Sequence, residues 1–371
     1  MTQKIILVQV GYLGSTVIDH LITPLAKTGG IDKVLLICRH PGPIIPKVEY
    51  HCPPKLLARF SLAAGAYEYL NLLRLAIIRK PTYLAGYLLF PHGIMAFLVA
   101  KLLRKPVIIS LIAGPVELYT MGGSPLGVRY VKPLPWYGAF LLSVLKHSDA
   151  IITTGSVTKD FLIKHGIKKT QIYPMINPPN KSRFQPLQMS KIYDVVSVGR
   201  LAPVKHNEVM IRAIAKVKEE IPNINFCIVG NGSCELELIQ LVEHLGIKEN
   251  VKFVGFQDKT ENYYNNSKIF ILASEREGFP NVVLEAMMCG LPCVVSNCGD
   301  ILNIAKNGNN SLVIDHFDDH LGFARAIINI LRDDTLYRQL SQNALRTVES
   351  VSEDEVINKW ILLMHEINTH D

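Results

Sequence analysis

Residues 193–220 read YDVVSVGRLAPVKHNEVMIRAIAKVKEE. A short, nearly continuous apolar run (193–198) stops at Gly199, a loop follows, and apolar positions recur at helical spacing over 207–220. The first pattern suits a strand buried on both faces, the second an amphipathic helix laid against it. Parallel strands need such crossovers, so the unit implies a parallel sheet covered by helices. Downstream the unit repeats. Strands are predicted at 225–229, 251–254, 269–273, 292–296 and 312–314. Helices are predicted at 235–245, 281–289, 318–331, 335–349 and 352–367.

Upstream the same alternation runs less regularly, with strands at 5–10, 34–38, 107–112 and 150–153 and a helix at 17–27. Residues 81–100 contain no Asp, Glu, Lys or Arg, which is long enough to span a bilayer. Pro91, His92 and Gly93 interrupt it, with Gly86 nearby, so a buried strand (83–90) and a helix (94–103) are predicted instead. The length of 371 residues predicts two or three domains. The segment NPPNKSRFQP (177–186) reads as a linker. The expected architecture is α/β, with two doubly wound Rossmann-like domains at 1–185 and 186–351 facing each other across a cleft. A terminal helix (352–371) is expected to pack back toward the first domain. In such sheets ligands bind beyond the carboxyl ends of the strands.

A 49% hydrophobic and 19% charged composition excludes a disordered chain. Seven scattered cysteines, an odd number, argue against a disulfide scaffold and for a reduced, cytoplasmic setting. No signal-peptide pattern opens the chain. The net charge of +7 conceals an asymmetry. Residues 1–185 carry 22 Lys and Arg against 7 Asp and Glu, while residues 186–371 carry 17 against 25. The first half therefore suits an anionic partner. Residues 55–80 are largely apolar with basic residues at both ends, which fits either a helix packed on a sheet or one lying at an anionic membrane surface. No nucleic-acid-binding motif is present.

Candidate ligand-binding residues fall at predicted strand ends. Gly11 and Gly14 form a G-x-x-G turn, which serves equally a tight strand-to-helix bend or a close approach to phosphate or sugar. It is not the G-x-G-x-x-G of a dinucleotide site. Arg200 and Lys205 follow the 193–198 strand and can converge on a diphosphate, one as a planar fork and one as a point charge. Gly230 ends the next strand, and Phe256, after the following one, can lie against a base. Residues 274–290, SEREGFPNVVLEAMMCG, set Glu277 in a loop and Glu285 inside the following helix. Asn281 is placed to cap that helix, and its first N–H groups, near Val282 and Val283, can meet an anion. Glu285 can accept from a ribose diol and Glu277 from sugar hydroxyls. Cys289, Cys293 and Cys298 lack zinc-ligand spacing and are predicted to be core thiols.

EGFPNVVLE resembles the E-x7-E signature of family 4 glycosyltransferases, which have the GT-B fold, and GRLAPVK resembles their G-R-L-x-x-x-K loop. The resemblance runs from about residue 193 to 314 and includes VGNG, FVGF and EAMMCGLPCVVS. It implies transfer of a sugar from a nucleotide-diphosphate donor with retention at the anomeric carbon and no required metal or cofactor. It further implies Arg200 and Lys205 on the diphosphate, Glu285 on the ribose and Glu277 on the donor sugar as the catalytic position. Gly278, Phe279, Pro280, Asn281 and Val282 would line the donor. The implied acceptor is a glycan or lipid-linked saccharide of the cell envelope, met in the cytoplasm or at the inner membrane face. Ala113 stands where many relatives carry a histidine. His92 is the other candidate for that role, set against a purely structural place in its turn. An epimerase acting on a nucleotide sugar and a non-catalytic membrane-docked protein are the alternatives.

Overall fold

In a computed structural model, which describes residues 5–11, 13–119, 136–176 and 179–369, the predicted apolar runs pair as parallel strands. Two compact units result, Met1–Asn177 with Glu353–Asp371, and Pro178–Ser352. Arg183 and Phe184 explain why the second unit begins ahead of residue 186. Arg183 Nε lies 2.8 Å from Glu261, and the buried Phe184 ring packs edge-on against Tyr264, so both belong to the second unit.

The first unit contains β1 (Ile5–Val10), α1 (Ser15–Lys27), β2 (Ile31–Ile37), β3 (Val48–His51), α2 (Lys55–Ala58), α3 (Ser61–Arg79), β4 (Tyr83–Tyr87), α4 (Ile94–Leu103), β5 (Val107–Leu111), α5 (Trp136–Lys146), β6 (Ala150–Thr153), α6 (Ser156–Lys164) and β7 (Ile172–Pro174). The strands order as β3-β2-β1-β4-β5-β6-β7. Alternate side chains divide between two cores: Val8, Val10, Leu84 and Ile109 enter one, Leu7, Tyr83, Ala85 and Ile108 the other. Burial on both faces is why these strands read as apolar runs rather than alternating ones.

The second unit contains β8 (Tyr193–Val198), α7 (Asn207–Lys218), β9 (Phe226–Val229), α8 (Glu235–His244), β10 (Val251–Phe253), α9 (Thr260–Asn265), β11 (Ser267–Leu272), α10 (Asn281–Met288), β12 (Cys293–Ser296), β13 (Ser311–Ile314), α11 (His320–Arg332) and α12 (Asp334–Glu349). Its sheet orders as β10-β9-β8-β11-β12-β13, so strand order reverses between β8 and β11. Val195, Phe226, Ile228, Ile269 and Ile271 share a core with α7, α8 and α11. The last helix, α13 (Glu353–Thr369), belongs to the first unit. It buries Val356, Trp360, Leu363, Met364 and Ile367 beside Ile18 and Ile22 of α1. Tyr83 donates a 2.8 Å hydrogen bond to Asn368.

Several local expectations change. The helix expected over 55–80 is two helices, broken where Phe60 takes extended dihedrals (φ −109°, ψ 114°). α2 buries no residue, so no core contact holds it in line with α3. The strand expected over 83–90 stops at Tyr87, where Leu88 turns to φ 68°. The expected strand over 5–10 is present as β1. Tyr12, in the following turn, lies outside the described residues, as do residues 177 and 178 of the linker.

Candidate functional site

Five strand-end loops of the second unit are packed backbone against backbone. Gly199 N–H donates to Val229 O (2.9 Å), Leu201 N–H to Asn231 O (2.9 Å) and Gly230 N–H to Gly255 O (2.8 Å). A Cβ on Gly230 would sit 1.9 Å from Gly199 O, so this glycine serves the approach of the β9 loop to the β8 loop. Across the β8/β11 reversal, Glu275 N–H donates to Val204 O (3.0 Å). On the far side, Gly299 adopts φ 54°, and a Cβ there would sit 1.8 Å from Glu277 O. Asp300 N–H donates to Gly278 O (3.0 Å). The loop carrying Glu277 is thus clamped between the loops after β8 and β12.

This clamp brings Lys205 to Glu277. Lys205 ends a short turn after β8, and its Nζ hydrogen-bonds the Glu277 carboxylate, both side chains being mostly shielded from solvent. The next residue, His206, takes φ 45° and joins the two loops from the side. Its Nδ1 lies 2.8 Å from Glu208, its Nε2 3.4 Å from Glu275, and its ring centroid 4.3 Å from that of Phe317. The Glu208 hydrogen bond, with Glu275 adding, raises the His206 pKa against the effect of burial. Arg276 Nη2 stands 3.6 Å from Glu275. His206, Glu208 and Glu275 were not singled out beforehand. The available signal was position, since His206 adjoins Lys205 and Glu275 precedes Glu277 by two residues. Arg200, in the same β8 loop, is exposed and makes no ion pair among the described residues.

Glu285 lies in α10 at 7% exposure, and Tyr264 O–H donates to its Oε2 at 2.8 Å. Burial pushes the Glu285 carboxyl up to about 7, against the hydrogen bond from Tyr264. Asn281 is not the cap of α10: it is the first helical residue, Pro280 holds the capping position, and no side-chain cap bond forms. Nor is the Val283 N–H free, since it donates to Pro280 O at 3.0 Å. Gly278 and Phe279 are half-buried beside Glu277, and Pro280 is buried. Phe256 is exposed and lines a 550 Å³ surface cavity with Tyr193, Asn262 and Tyr263, none of which belongs to the Lys205 group. Cys289, Cys293 and Cys298 are buried free thiols. Burial pushes the Cys289 and Cys298 pKa values to about 12. Among the described residues, no group of three or more His, Cys, Asp or Glu side chains could hold a metal ion.

In the first unit, a Cβ on Gly11 would meet Tyr87 Cβ at 2.6 Å, so this glycine lets β1 and β4 end side by side. Gly14 is exposed and precedes α1. His92 does not lie open at its strand end. It is buried, with Nε2 3.2 Å from Glu68 of α3, and Arg39 Nε stands 3.7 Å from the same carboxylate. Ala113 N–H and Leu89 N–H each donate to Glu117 at 2.7 Å, joining the loops after β4 and β5. Glu117 is buried, which pushes its carboxyl up to about 7 against three backbone N–H donors.

Residues 180–347 match the family described as Glycosyl transferases group 1. The chain is 23% identical over 292 residues to N-acetyl-alpha-D-glucosaminyl L-malate synthase of Bacillus anthracis, covering 76% of this chain and 74% of that protein. It is 26% identical over 332 residues to UDP-Gal:alpha-D-GlcNAc-diphosphoundecaprenol alpha-1,3-galactosyltransferase of Escherichia coli, covering 83% and 82%. Its fold resembles that of Anabaena Alr3699/HepE in complex with UDP, with a TM-score of 0.76 at 16% identity over 98% of this chain and 100% of that one.

Proposed function

We propose that this chain is a glycosyltransferase, a reading supported by the match of residues 180–347 to the family described as Glycosyl transferases group 1 and by a fold like that of Anabaena Alr3699/HepE. The reading is transfer of a sugar from a nucleotide-diphosphate donor to a cell-envelope glycan or lipid-linked saccharide, with retention at the anomeric carbon. The observation that carries it is Lys205 bonded to Glu277 at the β8/β11 reversal, where open α/β sheets bind ligands. Donor binding would exchange that bond. Lys205 turns to the diphosphate with Arg200, and Glu277 is released to accept from hydroxyls of the sugar. Glu285 keeps Oε1 for the ribose while Tyr264 holds Oε2.

Charge develops on the diphosphate as the C1–O bond breaks. In this reading Lys205, the Arg200 guanidinium and the α10 N-terminus would stabilise it. The acceptor hydroxyl attacks from the same face, and its proton passes to the departing phosphate oxygen, so no protein nucleophile is required. The lipid-linked acceptor is supported by the Escherichia coli relative, whose name specifies a diphosphoundecaprenol substrate.

Melting temperatures measured against a panel of nucleoside diphosphates and nucleotide sugars test the donor site. A ligand at a hundredfold its Kd stabilises by about 2.7 kcal/mol. Lys205→Ala is expected to remove that shift, and the transfer of sugar from the same donor, while the unliganded protein still melts cooperatively. An undiminished shift in Lys205→Ala would sink the assignment. The anomeric configuration of the product, read by NMR, tests retention.

A further inference from the structure

α3 buries one face in the first unit and exposes a second face that is also apolar. Ala64, Glu68, Leu72, Leu75 and Ala76 point inward. Leu62, Leu70, Ile77 and Ile78 are 91%, 62%, 53% and 62% exposed. At helical spacing Leu62, Ala66, Leu70, Arg74 and Ile77 fall along one stripe, opposite the buried one. Phe60, in the break before α3, is exposed, and so is Leu56 of α2. α4 packs against α3 and exposes Leu98 and Leu102. A helix that only covered a sheet would turn charged residues outward at these positions. A sustained exposed apolar stripe marks an interaction surface.

The charge around the stripe identifies the partner. Residues 55–105 contain eight Lys and Arg but a single acid, Glu68, and that acid is buried. The surface is therefore apolar and cationic with no exposed carboxylate in this stretch. Anionic lipid complements both properties, because acyl chains take the apolar side chains and headgroup phosphates take the cations. We propose that α2, α3 and α4 dock this protein on an anionic membrane surface. The α3 stripe enters the headgroup region, and Lys55, Arg59, Arg74, Lys80 and Lys101 face lipid phosphate. The contact is interfacial, since no described helix is long and apolar enough to cross a membrane. This names the surface at which the proposed lipid-linked acceptor would be met, but it needs no donor and stands or falls separately from sugar transfer.

The test is co-sedimentation of the full chain with phosphatidylcholine vesicles, with and without about one third phosphatidylglycerol. Wild type is expected to bind only the anionic vesicles. Each of Arg74→Gln, Lys80→Gln and Lys101→Gln should lower the partition coefficient about fivefold. The triple variant L62S/L70S/I77S should lower it at least about tenfold. Its exposed positions should leave the melting temperature unchanged, which is measured on the same sample. Three results would overturn the proposal: no vesicle binding by wild type, undiminished binding by the triple variant, or a stripe-dependent dimer by size exclusion without lipid binding.

Discussion

Glu285 meets two opposing demands. The proposed ribose contact calls for a carboxylate, yet burial raises the pKa of this group to about 7, so the folded protein resists the charge. An unfolded glutamate titrates near 4.3, so the fold binds a proton that the unfolded chain has released. Stability from this group is therefore greatest below about pH 4 and declines as pH rises toward 7. Glu285→Gln should melt higher than wild type at pH 8, retain the Tyr264 hydrogen bond, and lose the donor-induced shift. A lower melting temperature at pH 8 would show that ionised Glu285 supports the fold. His206 behaves in the same sense, by a different cause. Its pKa is raised, so its protonated contacts stabilise fully below about pH 6.5 and fade as pH climbs through the folded value. His206→Gln should flatten the pH dependence of donor affinity over that range, measured by titration calorimetry, while wild type weakens as pH rises. Lys205, Glu277 and Glu285 were legible because their spacing repeats a motif. His206 and Tyr264 were not, since their roles depend on which loops the sheet brings together.

At the scale of elements, the strand-end loops proposed to bind the donor are held by glycines at which a side chain has no room. A Cβ at Gly299 would strike Glu277 O from a backbone at φ 54°, whereas one at Gly65 in α3 would meet nothing within 4 Å. Gly299→Ala should cost on the order of 1–3 kcal/mol and weaken donor binding by displacing Glu277. Gly65→Ala should gain up to about 1 kcal/mol from helix propensity alone. Urea unfolding with and without nucleoside diphosphate separates the two, and equal effects would remove the clamp from the account. The central strands were readable because, buried on both faces, they form short and mostly apolar runs. β3 was not readable, because Val48–His51 is a half-buried edge strand of four residues in which Glu49 pairs with Lys33 at 2.7 Å. The break before α3 was hidden because its apolar residues continue through Phe60 onto a face that stays exposed.

At the scale of the whole molecule, the +7 net charge describes neither half, and the cations proposed for the diphosphate lie in the half that is acidic overall. As proposed, donor binding rests on a few positioned groups rather than on a long-range field, which a Debye length of about 8 Å at physiological salt would largely screen. The chain's course adds a second long-range tie. After completing the second unit it returns through α13 to the first, where Trp360, Leu363 and Met364 are buried beside α1, and Lys27 pairs with Glu353 at 2.7 Å. Burying that helix face is worth much more than the exposed ion pair, since a buried large apolar side chain contributes about 1.5–3 kcal/mol and a surface pair seldom exceeds about 1. Trp360→Ala should thus destabilise by roughly 3–5 kcal/mol, and Lys27→Ala by less than about 1. The site of the damage is the sharper expectation. By hydrogen exchange, Trp360→Ala should lose protection in β1, β2 and α1, more than 320 residues away along the chain, because those elements share its core. Loss confined to α11 and α12, its neighbours in sequence, would assign the terminal helix to the wrong unit.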